Sequence, residues 1–147
     1  MVIEVGKEQP DRVFETPDEV AAYFDRLWPL PRSITGEGVR ASHDILGEIV
    51  PLQRTEIPSG TRCFDWTVPK EWVVREAYVV TPAGDRILDF SENNLHLVSY
   101  SMPFRGRMTL QELDSRLFSL PHMPEAVPYR TSYYKEDWGF CISQNQR

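Results

Sequence analysis

The sequence predicts an α+β fold, on three observations. Apolar residues recur at helical spacing near the N-terminus, the period shortens to that of strands through the middle, and the start of a third helix precedes an aromatic-rich tail. With 147 residues, 41% of them apolar, the chain is long enough to bury a core.

Residues 1–15, "MVIEVGKEQPDRVFE", are largely polar and unpatterned, which predicts a flexible leader. The first helix is expected to start at Thr16-Pro17-Asp18-Glu19. Thr16 can accept from a first-turn amide, Pro17 suits the first helical position, and Glu19 completes a capping box. Val20, Tyr23, Phe24 and Leu27 then form one apolar face. "WPLPRSITGEG" ends the helix in an ordered turn, and a second helix is expected over residues 37–49. Val39, His43, Leu46 and Val50 lie on one side of it, and Pro51 stops it.

The middle of the chain changes character. "LQRTEIPSGTRCFDWTVP" and "WVVREAYVVTPAGDRILDF" are short β-prone runs broken by Pro- and Gly-containing turns. Residues 73–80 carry apolar side chains on both faces, as in a strand covered on both sides. "TPAGD" is expected to join that strand to residues 86–90 as a hairpin. "NNLHLVSYSMP" predicts a further strand that Pro103 ends.

Thr109-Leu-Gln-Glu112 is a second capping box, and Leu110, Leu113, Leu117 and Leu120 extend a helical stripe to Pro121. "LPHMPEAVPYR" reads as a wrapping loop or linker. In the tail, "WGFCISQNQR", Phe140 and Ile142 point one way and Cys141 the other, which predicts a covered strand rather than an edge.

A net charge of -6 and 16 scattered Lys and Arg residues argue against nucleic-acid binding. The first fifteen residues hold no signal-peptide run, and no window approaches the roughly 18 apolar residues of a membrane span. A cytoplasmic protein with no membrane partner is expected. Cys63 and Cys141 form no CxxC unit and are expected to be ordinary buried thiols.

None of the three histidines has a partner at metal-ligand spacing. His43 lies on the apolar side of its helix and is expected to be buried and hydrogen-bonded. His96 falls on one strand face with Val98 and Tyr100, either packed or pointing into a cleft, and His122 sits in a loop. Gly36-Glu-Gly38 faintly resembles an anion-binding helix start, but without a preceding strand it reads as a structural turn. In "SGTRCFDWTVPKEW", Trp66 and Trp72 are either two core indoles or aromatic platforms, flanked by Arg62, Asp65 and Lys70, for sugars or peptides.

Five segments in order resemble one family. They are "LWPLPRSITGEGVR" (27–40), "EIPSGTRCFDWTVPKEWVVREAYV" (56–79), "NNLHLVSYSMP" (93–103), "MTLQELDSRL" (108–117) and "LPHMPEAVPYRTSYYKEDWGFCIS" (120–143). Together they are similar to bacterial zinc aminopeptidase-like proteins, also described as polysaccharide-biosynthesis proteins with an aminopeptidase-like domain. These carry a β-rich domain of unknown function inserted near the start of a peptidase fold.

The resemblance implies a division of the chain. Residues 16–51 would hold N-terminal helices of the peptidase-like domain, and 52–105 an inserted β-rich domain, sandwich or jelly-roll-like. Residues 106–147 would return to the first strands of an incomplete α/β zinc-peptidase domain. The family's zinc site would lie beyond residue 147, so no cofactor, metal ligand or catalytic residue is expected within this chain. Zinc and a peptide or aminoacyl-type small substrate are implied for the full-length family. In that family "WGFC" is commonly followed by a Ser-His-Asn-like triplet, where this chain has Ser143-Gln144-Asn145.

The expected function is therefore that of a non-catalytic portion that shapes substrate access or assembly. Its candidate substrate-access residues are Arg32, Ser33, Trp66, Trp72 and His96. The alternative is a stand-alone β-rich module that recognises glycans or peptides through its aromatic residues. A homo-oligomer or a complementing chain is a further expectation.

Overall fold

A computed structural model describes residues 2–5, 14–32, 36–133 and 135–147. The chain divides into two compact units, Met1–Val73 and Val74–Arg147. The division falls inside the 52–105 stretch assigned above to an inserted domain. Helices and strands are mixed along the chain, as an α+β protein requires.

The first unit opens with β1 (Val2–Val5), which pairs antiparallel with β2 (Leu52–Thr55) from Val2 opposite Thr55 to Val5 opposite Leu52. This part of the expected leader is thus paired, while residues 6–13 lie outside the described residues. Helix α1 (Pro17–Leu27) begins as predicted, with the Glu19 amide donating to the Thr16 hydroxyl at 3.4 Å. The return bond comes one residue early, from the Glu15 amide to Glu19 Oε2 at 2.9 Å.

The apolar face of α1 is only partly covered, contrary to its pattern. Tyr23 is buried and packs edge-on against Phe14, with ring centroids 5.4 Å apart, but Phe24 is 67% exposed and Val20 and Trp28 are exposed too. Polar contacts from the Tyr23 side of the helix set its orientation. The Tyr23 hydroxyl donates to Glu48 Oε2 at 3.2 Å, and Arg26 binds both oxygens of the same carboxylate at 2.6 and 2.7 Å.

Helix α2 (Glu37–Leu46) is shorter than the 37–49 expected. The Gly47 amide still bonds to His43 O, but residues 48–50 continue as turns. The start of α2 explains its glycines. A Cβ on Gly38 would overlap the Pro31 carbonyl, so the approach of the preceding loop to the helix depends on the missing side chain. The Gly-Glu-Gly stretch is thus the N-cap and first two residues of α2, where a structural turn was expected. His43 is half-buried, and its Nδ1 meets no hydrogen-bond partner among the described residues, contrary to expectation.

After β2 the chain forms a tight hairpin, β3 (Arg62–Cys63) with β4 (Trp66–Thr67), in which Cys63 stands opposite Trp66. Phe64 at its tip has φ 53° and is 93% exposed. A consequence is that Cys63 is exposed, not buried as predicted, because a strand of two residues at a hairpin tip has nothing packed over it.

In the second unit β5 (Val79–Val80) and β6 (Arg86–Ile87) form the predicted hairpin, with the Thr81 amide donating to Asp85 O at 2.9 Å. The strand expected over 73–80 is reduced to its last two residues, those next to the turn. The strand expected over 93–103 is absent. Asn93 instead caps a 3-10 turn (Asn94–His96) by accepting from the Leu95 amide at 3.0 Å, and only single bridges follow at Leu97 and Ser99.

Helix α3 (Leu110–Asp114) carries the full Thr109/Glu112 capping box but ends after five residues, not at Leu120. Leu117 belongs instead to β7 (Leu117–Phe118), parallel to β8 (Phe140–Cys141). On one edge of β8 the Phe140 amide donates to Arg116 O at 2.9 Å and the Ile142 amide to Phe118 O at 3.0 Å. On the other, the Val98 amide donates to Gly139 O at 3.0 Å. Leu88, Leu117, Phe140 and Ile142 form the core of this unit, with Ala77, Val79, Leu97, Leu113 and Trp138 packed on it. The tail is the covered strand that its two-sided apolar pattern predicted.

Candidate functional site

A cleft in the first unit is built from three stretches of chain. Helix α2 and its N-cap contribute Arg40 and Gly36, the turn after β2 contributes Glu56, Ile57, Pro58 and Ser59, and Glu71 closes the rim. Its volume is about 120 Å³, room for a small polar group rather than a ligand of drug size. The turn is fixed by the hairpin that follows, through bonds from the Gly60 amide to Val68 O at 2.8 Å and from the Val68 amide to Thr61 O at 2.9 Å. Val68 is buried and anchors it.

Arg40 organises the cleft. Its Nε donates to Glu56 Oε1 at 2.7 Å and its Nη2 to Glu56 Oε2 at 3.1 Å, a bidentate clamp. The same guanidinium donates from Nη1 to Glu71 Oε2 at 3.1 Å and from Nη2 to the other oxygen of Glu71. The hydrogen bonds from Arg40 hold both carboxyls below their ordinary range, and those carboxylates in turn raise Arg40. One positive and two negative charges leave the cleft with a net negative charge. Carboxylates held ionised in this way are poor proton donors at neutral pH, but their remaining lone pairs can accept from an ammonium or hydroxyl group.

The sequence-predicted residues are distributed around and beyond this cleft. Trp72 follows Glu71 directly and is half-buried, and Trp66 on β4 is exposed, so neither is a core indole. Arg32 Nη1 donates to Leu27 O at 2.8 Å and so covers an open carbonyl at the end of α1. Ser33 lies outside the described residues. His96 belongs to the second unit, where its Nδ1 lies 2.9 Å from Cys141 O. Arg40, Glu56 and Glu71 were missed because the partners are 16 and 31 residues apart in sequence, with no local motif to mark them.

Among the described residues no three His, Cys, Asp or Glu side chains converge as a metal site requires. His43 lies on α2, His96 bonds to the tail, and His122 is exposed in a loop. The described residues therefore do not fit a catalytic zinc. Gln144, at the position of the departure noted above, accepts from the Ser119 hydroxyl at 2.8 Å and helps to fix the turn after β8. No helix among the described residues is long and apolar enough to cross a membrane.

A family model described as "Domain of unknown function (DUF2172)" matches residues 71–147, a span that nearly coincides with the second unit. A curated relative from Clostridium acetobutylicum, named as a polysaccharide biosynthesis protein with an aminopeptidase-like domain, is 49% identical over 132 residues. The alignment takes in 90% of this chain and 30% of the relative. A crystal structure from the same organism, of a protein named as a peptidase, superposes with a TM-score of 0.84 at 49% identity. It matches 88% of this chain and 31% of its own. The chain thus spans about a third of the length of the relatives it matches.

Proposed function

This chain belongs to the family described as the domain of unknown function DUF2172, and from that membership we propose that it is the N-terminal, non-catalytic portion of a zinc-dependent aminopeptidase-like protein. The observation that carries the reading is the 49% identity over 90% of the chain to 30% of a relative whose name includes an aminopeptidase-like domain. In this reading the zinc ligands lie in the part of the relative that this chain does not match, and the protein works in the cytoplasm.

The role of the chain is to shape substrate access or assembly. Residues 52–105 act as an inserted β-rich element, with Arg32, Ser33, Trp66 and Trp72 as access residues of the first unit and His96 as one of the second. The Arg40 cleft supports this role. Ionised Glu56 and Glu71 suit reception of a peptide or aminoacyl substrate, whose free amino group is cationic, rather than acid catalysis.

The test is to purify the chain, measure its zinc content by mass spectrometry and assay it on aminoacyl anilides with zinc added. Sub-stoichiometric zinc and no turnover are expected. Stoichiometric tightly held zinc, or turnover above the metal-only blank, would overturn the proposal.

A further inference from the structure

A second surface, in the unit Val74–Arg147, has the makings of a binding site that the reading above does not use. Phe104 and Trp138 are stacked, with ring centroids 4.4 Å apart and planes within 10°. Phe104 is 53% exposed, so the stack presents an open aromatic surface. Its base is held from both sides. The Met102 amide donates to Asp137 O at 2.9 Å, and Arg116 lies 5.2 Å from the Trp138 ring while it pairs with Asp137.

Gly106 lets the loop close on the ring. A Cβ there would stand 2.8 Å from Phe104 Cζ, closer than carbon atoms approach without strain.

The chain on the Phe104 side of the platform carries only positive charge, while beside Trp138 the carboxylate of Asp137 is paired with Arg116 and Glu136 is exposed. Between Glu92 and Glu112 the chain holds no acidic residue, although the whole carries a net charge of -6. Arg105 and Arg107 flank Gly106, are exposed, and form no ion pair with any described residue. Both lie within three residues of Phe104, at most about 11 Å of chain, so their long side chains can reach a ligand seated on the ring.

We propose that the Phe104–Trp138 stack, with Arg105 and Arg107, is a binding site for an acidic saccharide. The apolar face of a sugar ring would lie on Phe104, and a sugar carboxylate would pair with the arginines. An acidic peptide is the lesser fit. Arginine clusters also receive acidic peptide motifs, but residues 102–107 form no strand whose edge could pair with a peptide backbone, and the open face of Phe104 is what favours a sugar ring.

The experiment is a calorimetric titration of the intact chain with tetragalacturonate, its neutral galactose counterpart and oligoglutamate, with the Trp138 indole N–H followed by NMR. Tetragalacturonate is expected to bind saturably and to shift that signal, at least about fivefold more tightly than either control, and to weaken as salt is raised. Phe104→Ala and the double variant Arg105→Gln/Arg107→Gln should each weaken it about three- to tenfold. Both change exposed side chains, and circular dichroism checks that they fold. Absence of saturable binding, equal binding of oligoglutamate, or affinity unchanged in Phe104→Ala would each overturn the proposal.

Discussion

The ring of His96 joins the tail strand from its open side: Nδ1 lies 2.9 Å from the carbonyl oxygen of Cys141. With the Val98 amide bonded to Gly139 O, it closes the edge of β8 that β7 does not cover. Cys141 is left with no exposed surface. Burial pushes its thiol up to about 11, an effect partly offset by the charge of Arg130.

The two thiols should therefore react at very different rates. At pH 8 a disulfide reagent is expected to modify Cys63 rapidly and Cys141 only on unfolding, since the thiolate is the reactive species. Cys63→Ser should abolish the fast phase. His96→Phe removes the donor to Cys141 O and should speed labelling of Cys141 about fivefold, the effect of roughly 1 kcal/mol. Two fast thiols in the wild type would contradict this.

At the start of α2, Gly38→Ala places a methyl group against the Pro31 carbonyl, a backbone group that cannot swing away. A loss of about 2–4 kcal/mol is expected by urea denaturation. A change below about 0.5 kcal/mol would mean that the loop is free to move off the helix.

Asp89 predicts a pH dependence. The Arg86 guanidinium, followed by the Ser91 amide and hydroxyl, lowers its carboxyl from 3.8 to about 2. In acid the unfolded chain takes up this proton first, so the contribution of Asp89 is complete above the unfolded value and is lost as pH falls toward 2. Asp89→Asn should lower Tm at pH 7 and flatten its fall between about pH 4 and 2. An unchanged slope with a lower Tm would assign the shift in acid to other carboxyls.

Local signals were legible in the sequence, and their extent was not. Thr16 and Thr109 cap helices as their spacing required, and the "TPAGD" turn forms its hairpin. The Leu110-to-Leu120 stripe misled because Arg116 O and Phe118 O are taken by amides of the tail, more than twenty residues away, and that pairing ends the helix early. The apolar face of α1 misled for a similar reason, since Glu48 draws Tyr23 and Arg26 toward it and leaves Phe24 in solvent. Arg40 between Glu56 and Glu71 left no pattern at all, because an ion-pair cluster drawn from three separate stretches has no period.

The parallel pairing of β7 with β8 also bears on how the chain can be made. The connection between them carries no helix or strand among the described residues, and its prolines leave it little local structure to form ahead of time. On the ribosome, Leu117 would emerge well before Phe140 and Ile142, and the core they share could not close in the interval. The second unit is thus expected to stay open to chaperones or to misassembly until its last strand has left the exit tunnel.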